Sequence, residues 1–126
     1  MKALVKTHTG IGNIEVQEKD KPQITPSEVL IRVHAAGICG SDLHIYNWST
    51  QVPMNVPVAM GHEFSGVVEE IGDEVTDWKP DDRVTAEPSY SVCGKCAYCM
   101  AGRYNLCNQR KVLGFYTDGA FAEYIA

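Results

Sequence analysis

Short runs of apolar and β-branched residues, separated by glycine and proline, follow one another along most of this chain. Within these runs the apolar positions alternate with polar ones or cluster briefly, which is typical of β-strands. Strands are therefore predicted over residues 3–7, 14–17, 29–35, 65–71, 83–86 and 121–125. Short helices are predicted over residues 41–48 and 97–103.

This order of elements predicts a mainly β protein, because strands and helices do not alternate as they do in a βαβ sheet. We expect a small β-barrel with short helices and appended loops. The length of 126 residues suits one domain. In the strand at 29–35, alternation is expected to give two faces, one with Val29, Ile31 and Val33 and the other with Leu30, Arg32 and His34.

Charge and composition mainly exclude functions. The formal net charge is −5 and no basic stripe is visible, which argues against a nucleic-acid binder. No apolar run approaches the length of a membrane span, and the N-terminus lacks the apolar core of a signal peptide. The sequence therefore predicts a cytoplasmic protein with reduced thiols and without a membrane partner.

Four of the five cysteines lie close together in the sequence, at Cys93, Cys96, Cys99 and Cys107. Two-residue gaps allow successive thiolates to turn inward from one tight loop, and the longer gap supplies a fourth ligand. Four sulfurs around Zn²⁺ leave no position for a substrate, so this site is expected to be structural. The alternative is a pair of disulfides in a secreted protein, but this would leave a fifth thiol unpaired.

A second group of possible ligands consists of Cys39, His62 and Glu63. One thiolate, one imidazole and one carboxylate form the mixed set that a catalytic zinc uses, with a position left for water or substrate. The alternatives are a cysteine that packs as a small apolar residue and a histidine–glutamate pair on the surface.

Five segments together resemble one family, and they occur in its order. They are Gly-Ile-Cys-Gly-Ser-Asp-Leu-His (37–44), Gly-His-Glu-Phe-Ser-Gly (61–66), Asp-Arg-Val (82–84), the cysteine segment ending in Gly-Arg-Tyr-Asn-Leu-Cys (102–107), and Asp-Gly-Ala-Phe-Ala-Glu-Tyr (118–124). The chain resembles the zinc-dependent medium-chain alcohol dehydrogenases over essentially its whole length. The similar branch contains the sorbitol (polyol), butanediol and L-threonine dehydrogenases.

The resemblance implies a role for each matching residue. Cys39, His62 and Glu63 would be ligands of a catalytic zinc. The cysteines of the other group would hold a structural zinc, so that two zinc ions bind per chain.

The resemblance also implies a proton relay. Ser41 would bind the substrate hydroxyl and take its proton, and His44 would pass the proton towards solvent. Asp42 would orient the imidazole of His62, although it could equally cap the short helix.

Members of this family also carry a Rossmann domain that binds NAD or NADP, and this chain has no Gly-x-Gly-x-x-Gly turn. We therefore expect residues 1–126 to be a single, incomplete GroES-like catalytic domain, with a zinc lobe at about 89–112. The coenzyme site would be absent, and these residues alone would be inactive. The full-length protein is expected to be a homotetramer or homodimer that acts on a small-molecule alcohol.

Two substrates fit the resemblance. The stretch Leu43–Trp48 is similar to L-threonine 3-dehydrogenases, whereas residues 87–88 and 102–107 are similar to polyol dehydrogenases. Threonine dehydrogenases usually have a histidine three residues before the first lobe cysteine, where this chain has Tyr90. A polyol or related secondary alcohol is therefore favoured. A non-catalytic zinc-binding module and a zinc-finger-like nucleic-acid binder are the alternatives from other classes.

Overall fold

The computed structural model of the protein describes residues 1–49 and 53–126. The strands in this part of the chain are β1 Lys2–Lys6, β2 Ile14–Glu18, β3 Val29–Ala36, β4 Val58–Ala59, β5 Phe64–Ile71, β6 Arg83–Thr85, β7 Ser89–Ser91, β8 Lys111–Val112 and β9 Tyr124–Ile125. The helices are α1 Gly40–Asn47, α2 Ala97–Met100 and a 3-10 helix, Tyr104–Leu106. None of the helices among these residues is long and apolar enough to cross a membrane.

The strands form three antiparallel sheets, with the orders β2-β1-β4, β6-β5-β3-β9 and β7-β8. The chain before β9 joins the first two sheets. Ala122 forms a bridge with Ala3 of β1, and Ile125 pairs with Ile31 of β3. Leu4 also donates its backbone N–H to the carbonyl of Phe121 at 2.7 Å. The two sheets are thereby held as neighbouring walls of a barrel.

The apolar side chains that the barrel buries form three clusters. One consists of Ile31, Phe64, Leu113, Ala120 and Ile125. Another consists of Ala3, Val5 and Ala59 on the β1–β4 side, and the last of Ile45, Met60 and Phe115 under helix α1. Because the last cluster joins α1 to Met60, two residues before His62, and to Phe115, whose ring lies near His62, it forms the floor of the candidate site.

The mainly β architecture predicted from the sequence is confirmed, but details differ. One face of β3 is as expected, since Val29 and Val33 pack against the cluster that contains Ile31. The other face is not uniformly polar, because Leu30 is buried while Arg32 and His34 are exposed. Helix α2 ends at Met100 rather than at residue 103, since Gly102 has a φ of 71°. The sequence pattern also missed the short strands β4, β7 and β8.

Candidate metal centres and active site

The first side of the candidate site is the start of helix α1. Cys39 is its N-cap residue, with extended backbone angles φ −84° and ψ 156°. Asp42, in the first turn, accepts a hydrogen bond from the backbone N–H of Cys39 at 2.8 Å through Oδ2. Asp42 is the third residue of the helix and bonds back to the residue that caps it. This hydrogen bond therefore fixes both residues at the helix start.

The second side is the turn between β4 and β5, which carries His62. Glycines allow the segment before β9 to lie directly against this turn. A Cβ atom at Gly119 would be 2.0 Å from the carbonyl oxygen of Gly61, and one at Gly114 would be 2.8 Å from the same oxygen. Gly119 donates its N–H to Ala59 at 2.8 Å, and Ala120 donates to Gly61 at 3.0 Å. His62 therefore lies in a tightly held backbone.

These two sides bring Cys39, His62 and Glu63 together. One potential ligand atom from each residue lies within 4.8 Å of the others, with His62 buried, Cys39 half-buried and Glu63 exposed. The Ser41 hydroxyl is 3.0 Å from Nε2 of His62. The phenyl ring of Phe115 lies under the imidazole, with a centroid distance of 5.6 Å. The chain thus places the residues that the sequence predicted around a single point.

Asp42 faces the other imidazole nitrogen. Its Oδ1 is 3.7 Å from Nδ1 of His62, and both atoms are buried without a hydrogen-bond partner. Burial raises the pKa of Asp42, while the N–H of Cys39 and the imidazole of His62 oppose that shift. A proton on Nδ1 would point at this carboxylate and leave Nε2 as the lone-pair donor, which is the tautomer that a metal ligand needs. Asp42 therefore caps the helix and faces Nδ1 of His62, while its role in orienting that imidazole stays a prediction.

His44 lies further along α1 and is exposed. Its Nδ1 is 2.9 Å from the hydroxyl of Ser49, just beyond the helix. This hydrogen bond of His44 thus lies towards the end of the helix, away from the start where Ser41 lies. The relay from Ser41 to His44 stays a prediction.

The four clustered cysteines lie between β7 and β8. Potential ligand atoms of Cys93, Cys96, Cys99 and Cys107 all lie within 4.8 Å of one another, and the sulfurs of Cys93 and Cys99 are 3.9 Å apart. Sulfurs placed about 2.3 Å from one tetrahedral ion are roughly 3.8 Å apart. The observed separation therefore fits a shared zinc ion.

Backbone N–H groups point at the sulfurs. Those of Lys95 and Cys96 lower the pKa of the Cys93 thiol to about 6. Burial, together with hydrogen bonding to neighbouring thiols, raises the pKa of the Cys99 thiol to about 12. A Zn²⁺ ion bound by these residues would hold all four as thiolates and balance their charge.

The donor set at the other cluster also fits zinc. Sulfur, imidazole nitrogen and carboxylate oxygen are its ordinary ligands, and three protein ligands leave a position for a further group. The unpartnered Asp42–His62 pair supplies the carboxylate–histidine arrangement that orients a metal-binding imidazole.

Sequence reasoning missed several residues that build the site. Gly114, Gly119 and Phe115 pack against the His62 turn. Asp118 accepts the N–H of Ala59 at 2.8 Å and forms an ion pair with Lys19. Asp118 and Gly119 entered the sequence analysis only as part of the family segment 118–124, because nothing local shows that they contact residues nearly sixty positions away.

Comparison with known proteins agrees with this fold. The family model described as the alcohol dehydrogenase GroES-like domain matches residues 25–126. The chain therefore belongs to the alcohol dehydrogenase GroES-like domain family.

Two similar proteins are curated dehydrogenases. The sorbitol dehydrogenase of Halalkalibacterium halodurans is 51% identical over 125 residues, which are 99% of this chain and 36% of the relative. The L-threonine 3-dehydrogenase of Bacillus velezensis is 46% identical over 127 residues, with the same two coverages of 99% and 36%. The chain thus spans about 36% of the length of these relatives.

A solved structure has the same fold. It is a short chain alcohol dehydrogenase from Escherichia coli CFT073 complexed with the cofactor NADH, at a TM-score of 0.87 and 35% identity. The match covers 99% of this chain and 35% of that one. Fold and sequence therefore lead to the same family.

Proposed function

We propose that this chain is the zinc-binding catalytic part of a longer NAD(P)-dependent alcohol dehydrogenase. Residues 1–126 would form one incomplete catalytic domain, with the structural zinc lobe at about 89–112. The observation that carries the proposal is the convergence of Cys39, His62 and Glu63 within 4.8 Å, beside the Ser41 hydroxyl. The proposed reaction oxidises a secondary alcohol to a ketone, with the hydride going to NAD(P)⁺ and the hydroxyl proton to the protein.

A zinc ion held by Cys39, His62 and Glu63 would lower the pKa of the alcohol hydroxyl. His62 is prepared for this role because Asp42 faces its Nδ1, so that Nε2 offers the lone pair. Ser41 now contacts that same Nε2 at 3.0 Å. Ligation through Nε2 would release the serine hydroxyl, which could then accept the proton of the alcohol.

The next proton acceptor in this proposal is His44, one helical turn after Ser41. The imidazole of His44 is exposed, and its Nδ1 contacts Ser49. An exposed imidazole can exchange its proton with water near neutral pH. The proposed relay would therefore end at the surface of the protein.

A polyol is the favoured substrate. The sorbitol dehydrogenase is 51% identical to this chain, and the threonine dehydrogenase is 46% identical. At position 90, the position that distinguishes the two groups, the Tyr90 hydroxyl donates to Glu28 at 2.9 Å. The adjacent hydroxyls of a polyol offer one oxygen for the metal and another for a hydrogen bond. L-Threonine is the second candidate, since a hydroxyl and an amine on adjacent carbons meet the same requirement.

The remaining properties of the whole enzyme belong to the same proposal. It would bind NAD or NADP through a coenzyme domain and would assemble as a homotetramer or homodimer in the cytoplasm. The solved relative complexed with NADH supports a nicotinamide coenzyme.

The test uses the full-length gene product, assayed with NAD⁺ and NADP⁺ against sorbitol, L-threonine and ethanol. We expect oxidation of sorbitol. We expect little oxidation of ethanol, because its single hydroxyl would leave one polar group of a site built for two without a partner. Ser41→Ala should lower kcat by roughly a hundredfold or more without loss of metal. Ser65→Ala, an exposed serine on β5, is the matched control and should keep the normal rate.

His62→Ala should lose one of two zinc ions together with the activity. Oxidation of threonine alone would favour the second candidate. If the full-length protein oxidises none of these alcohols, and His62→Ala retains two zinc ions, the chain is a zinc-binding module of another kind.

A further inference from the structure

Lys6 is the one fully buried lysine among residues 1–49 and 53–126, with a relative exposure of 0%. Its ammonium donates hydrogen bonds to the carbonyls of Gly10 and Gly12. The indole ring of Trp48 lies over it, with 5.0 Å between Nζ and the ring centroid. Among the ion pairs of the described residues, none involves Lys6. Two carbonyls and an aromatic face therefore take the place of a carboxylate.

Burying an ammonium without a counter-charge costs free energy, and this burial lowers the pKa of Lys6. An apolar residue at this position of β1 would avoid that cost. A lysine at this position therefore indicates a role for the charge and the N–H donors of its ammonium group.

Lys6 is connected to both elements that carry the candidate site, helix α1 and the strand β4. Through its backbone it pairs with Val58 of β4, the strand that leads into His62. Through its side chain it contacts Trp48, the residue that ends helix α1 in the left-handed region at φ 52°. The loop it holds is joined to the same helix end, since Gly12 donates its N–H to the carbonyl of Tyr46 at 2.7 Å.

Helix α1 needs such an anchor at this end. It has eight residues and only two buried side chains, Asp42 and Ile45. Its first residues are fixed by the hydrogen bond between Asp42 and Cys39. The C-terminal end has a partial negative charge that a nearby cation stabilises.

We propose that Lys6 is a positioning residue for the Cys39–His62–Glu63 cluster, because it fixes the far end of α1 to the strand that delivers His62. This inference rests on the proposed function, in which that cluster holds a metal ion. A small rotation of α1 would displace Cys39 from His62, so loss of the contacts of Lys6 weakens metal binding without removing a ligand.

The test measures cobalt binding at this cluster in protein whose four-cysteine site is already filled with zinc. Lys6→Met keeps the length and apolar stem of the side chain but removes its charge and donors. We expect about tenfold weaker cobalt affinity, as when groups that orient ligands are removed. We also expect a shifted visible absorption band, since that band reports the geometry around cobalt. Lys6→Arg should restore most of the affinity, and Lys2→Met, an exposed lysine on the same strand, should behave as wild type.

A purely structural role would lower the melting temperature of Lys6→Met but leave its cobalt affinity and spectrum unchanged, and that result would overturn the inference. If Lys6→Met does not fold, Trp48→Leu removes the ring and keeps the ammonium with its two carbonyls. If Trp48→Leu then binds cobalt with the affinity and the visible spectrum of the wild type, the inference is overturned as well. A wild-type protein that takes up no cobalt at this cluster overturns the proposed function itself.

Discussion

The contact between Gly119 and Gly61 offers a direct test of how the His62 turn is held. Replacing Gly119 by alanine adds a Cβ atom at 2.0 Å from the carbonyl oxygen of Gly61 and 2.6 Å from that of Met60. The backbone of Gly119 is outside the left-handed region, so the alanine brings no conformational strain of its own. Any loss of stability in Gly119→Ala must therefore come from this contact.

The size of the effect follows from the atoms that must move. The three nearest neighbours of the new Cβ all belong to the backbone, so the contact cannot be relieved by rotation of a side chain. Overpacking of this kind costs about 1–3 kcal/mol. Separation of the segments also weakens hydrogen bonds such as those from Gly119 to Ala59 and from Phe121 to Met60, at about 1 kcal/mol each. The free energy of unfolding should fall by roughly 3–5 kcal/mol, a large part of the total for a small domain.

Denaturant unfolding of the zinc-loaded protein measures this difference. Gly40→Ala is the matched control, because a Cβ atom there has no neighbour within 4 Å. That variant should be as stable as wild type or more stable by up to about 1 kcal/mol. A Gly119→Ala protein within about 0.5 kcal/mol of wild type would refute the close packing described for this turn.

Three further predictions concern the two clusters and the connection of the lobe to the barrel. Cys96→Ser should lose one zinc ion, and the lobe should become disordered while the barrel strands persist. The reason is that a structural zinc contributes folding energy only when fully ligated. Unchanged NMR signals of the lobe in metal-free Cys96→Ser would contradict this. Asp42→Asn should weaken metal binding at the cluster of His62 by about 10–100-fold, measured by competition with a chelator, and an unchanged affinity would remove Asp42 from its orienting role. Hydrogen bonds, first from Thr25 and then from the Tyr90 hydroxyl, lower the pKa of Glu28 below its ordinary value of 4.5. Glu28 therefore stabilises the fold above that value and loses its effect as the pH falls through the lower folded pKa. The stability difference between wild type and Glu28→Gln should accordingly shrink on acidification, and a difference that stays constant with pH would contradict the shift.

The candidate ligands could be named from the sequence, because thiolate, imidazole and carboxylate bind metal ions in any fold. Cys93, Cys96 and Cys99 follow one another at the spacing of a metal loop. Cys39 and His62 lie in separate segments, and the sequence grouped them by ligand type before the resemblance to a family gave each of them a role. The structure brings them together through the cluster of Ile45, Met60 and Phe115.

The supporting residues could not be predicted, for physical reasons. Gly114 and Gly119 meet Gly61 only after the chain has crossed the barrel, and glycine in a sequence indicates a turn as readily as a close contact. Lys6 lies at a polar position in an alternating strand, which predicts an exposed side chain, but the loop carbonyls and Trp48 cover it. The strands β4, β7 and β8 have two or three residues each, too few for alternation to be visible.

Anomalous diffraction from zinc-loaded crystals, recorded on both sides of the zinc absorption edge, tests the central claim most directly. The account predicts two peaks per chain, one among the four clustered cysteines and another in contact with Cys39 and His62. A single peak at the four cysteines, with Cys39 and His62 in contact only with protein atoms in fully zinc-loaded crystals, would contradict it.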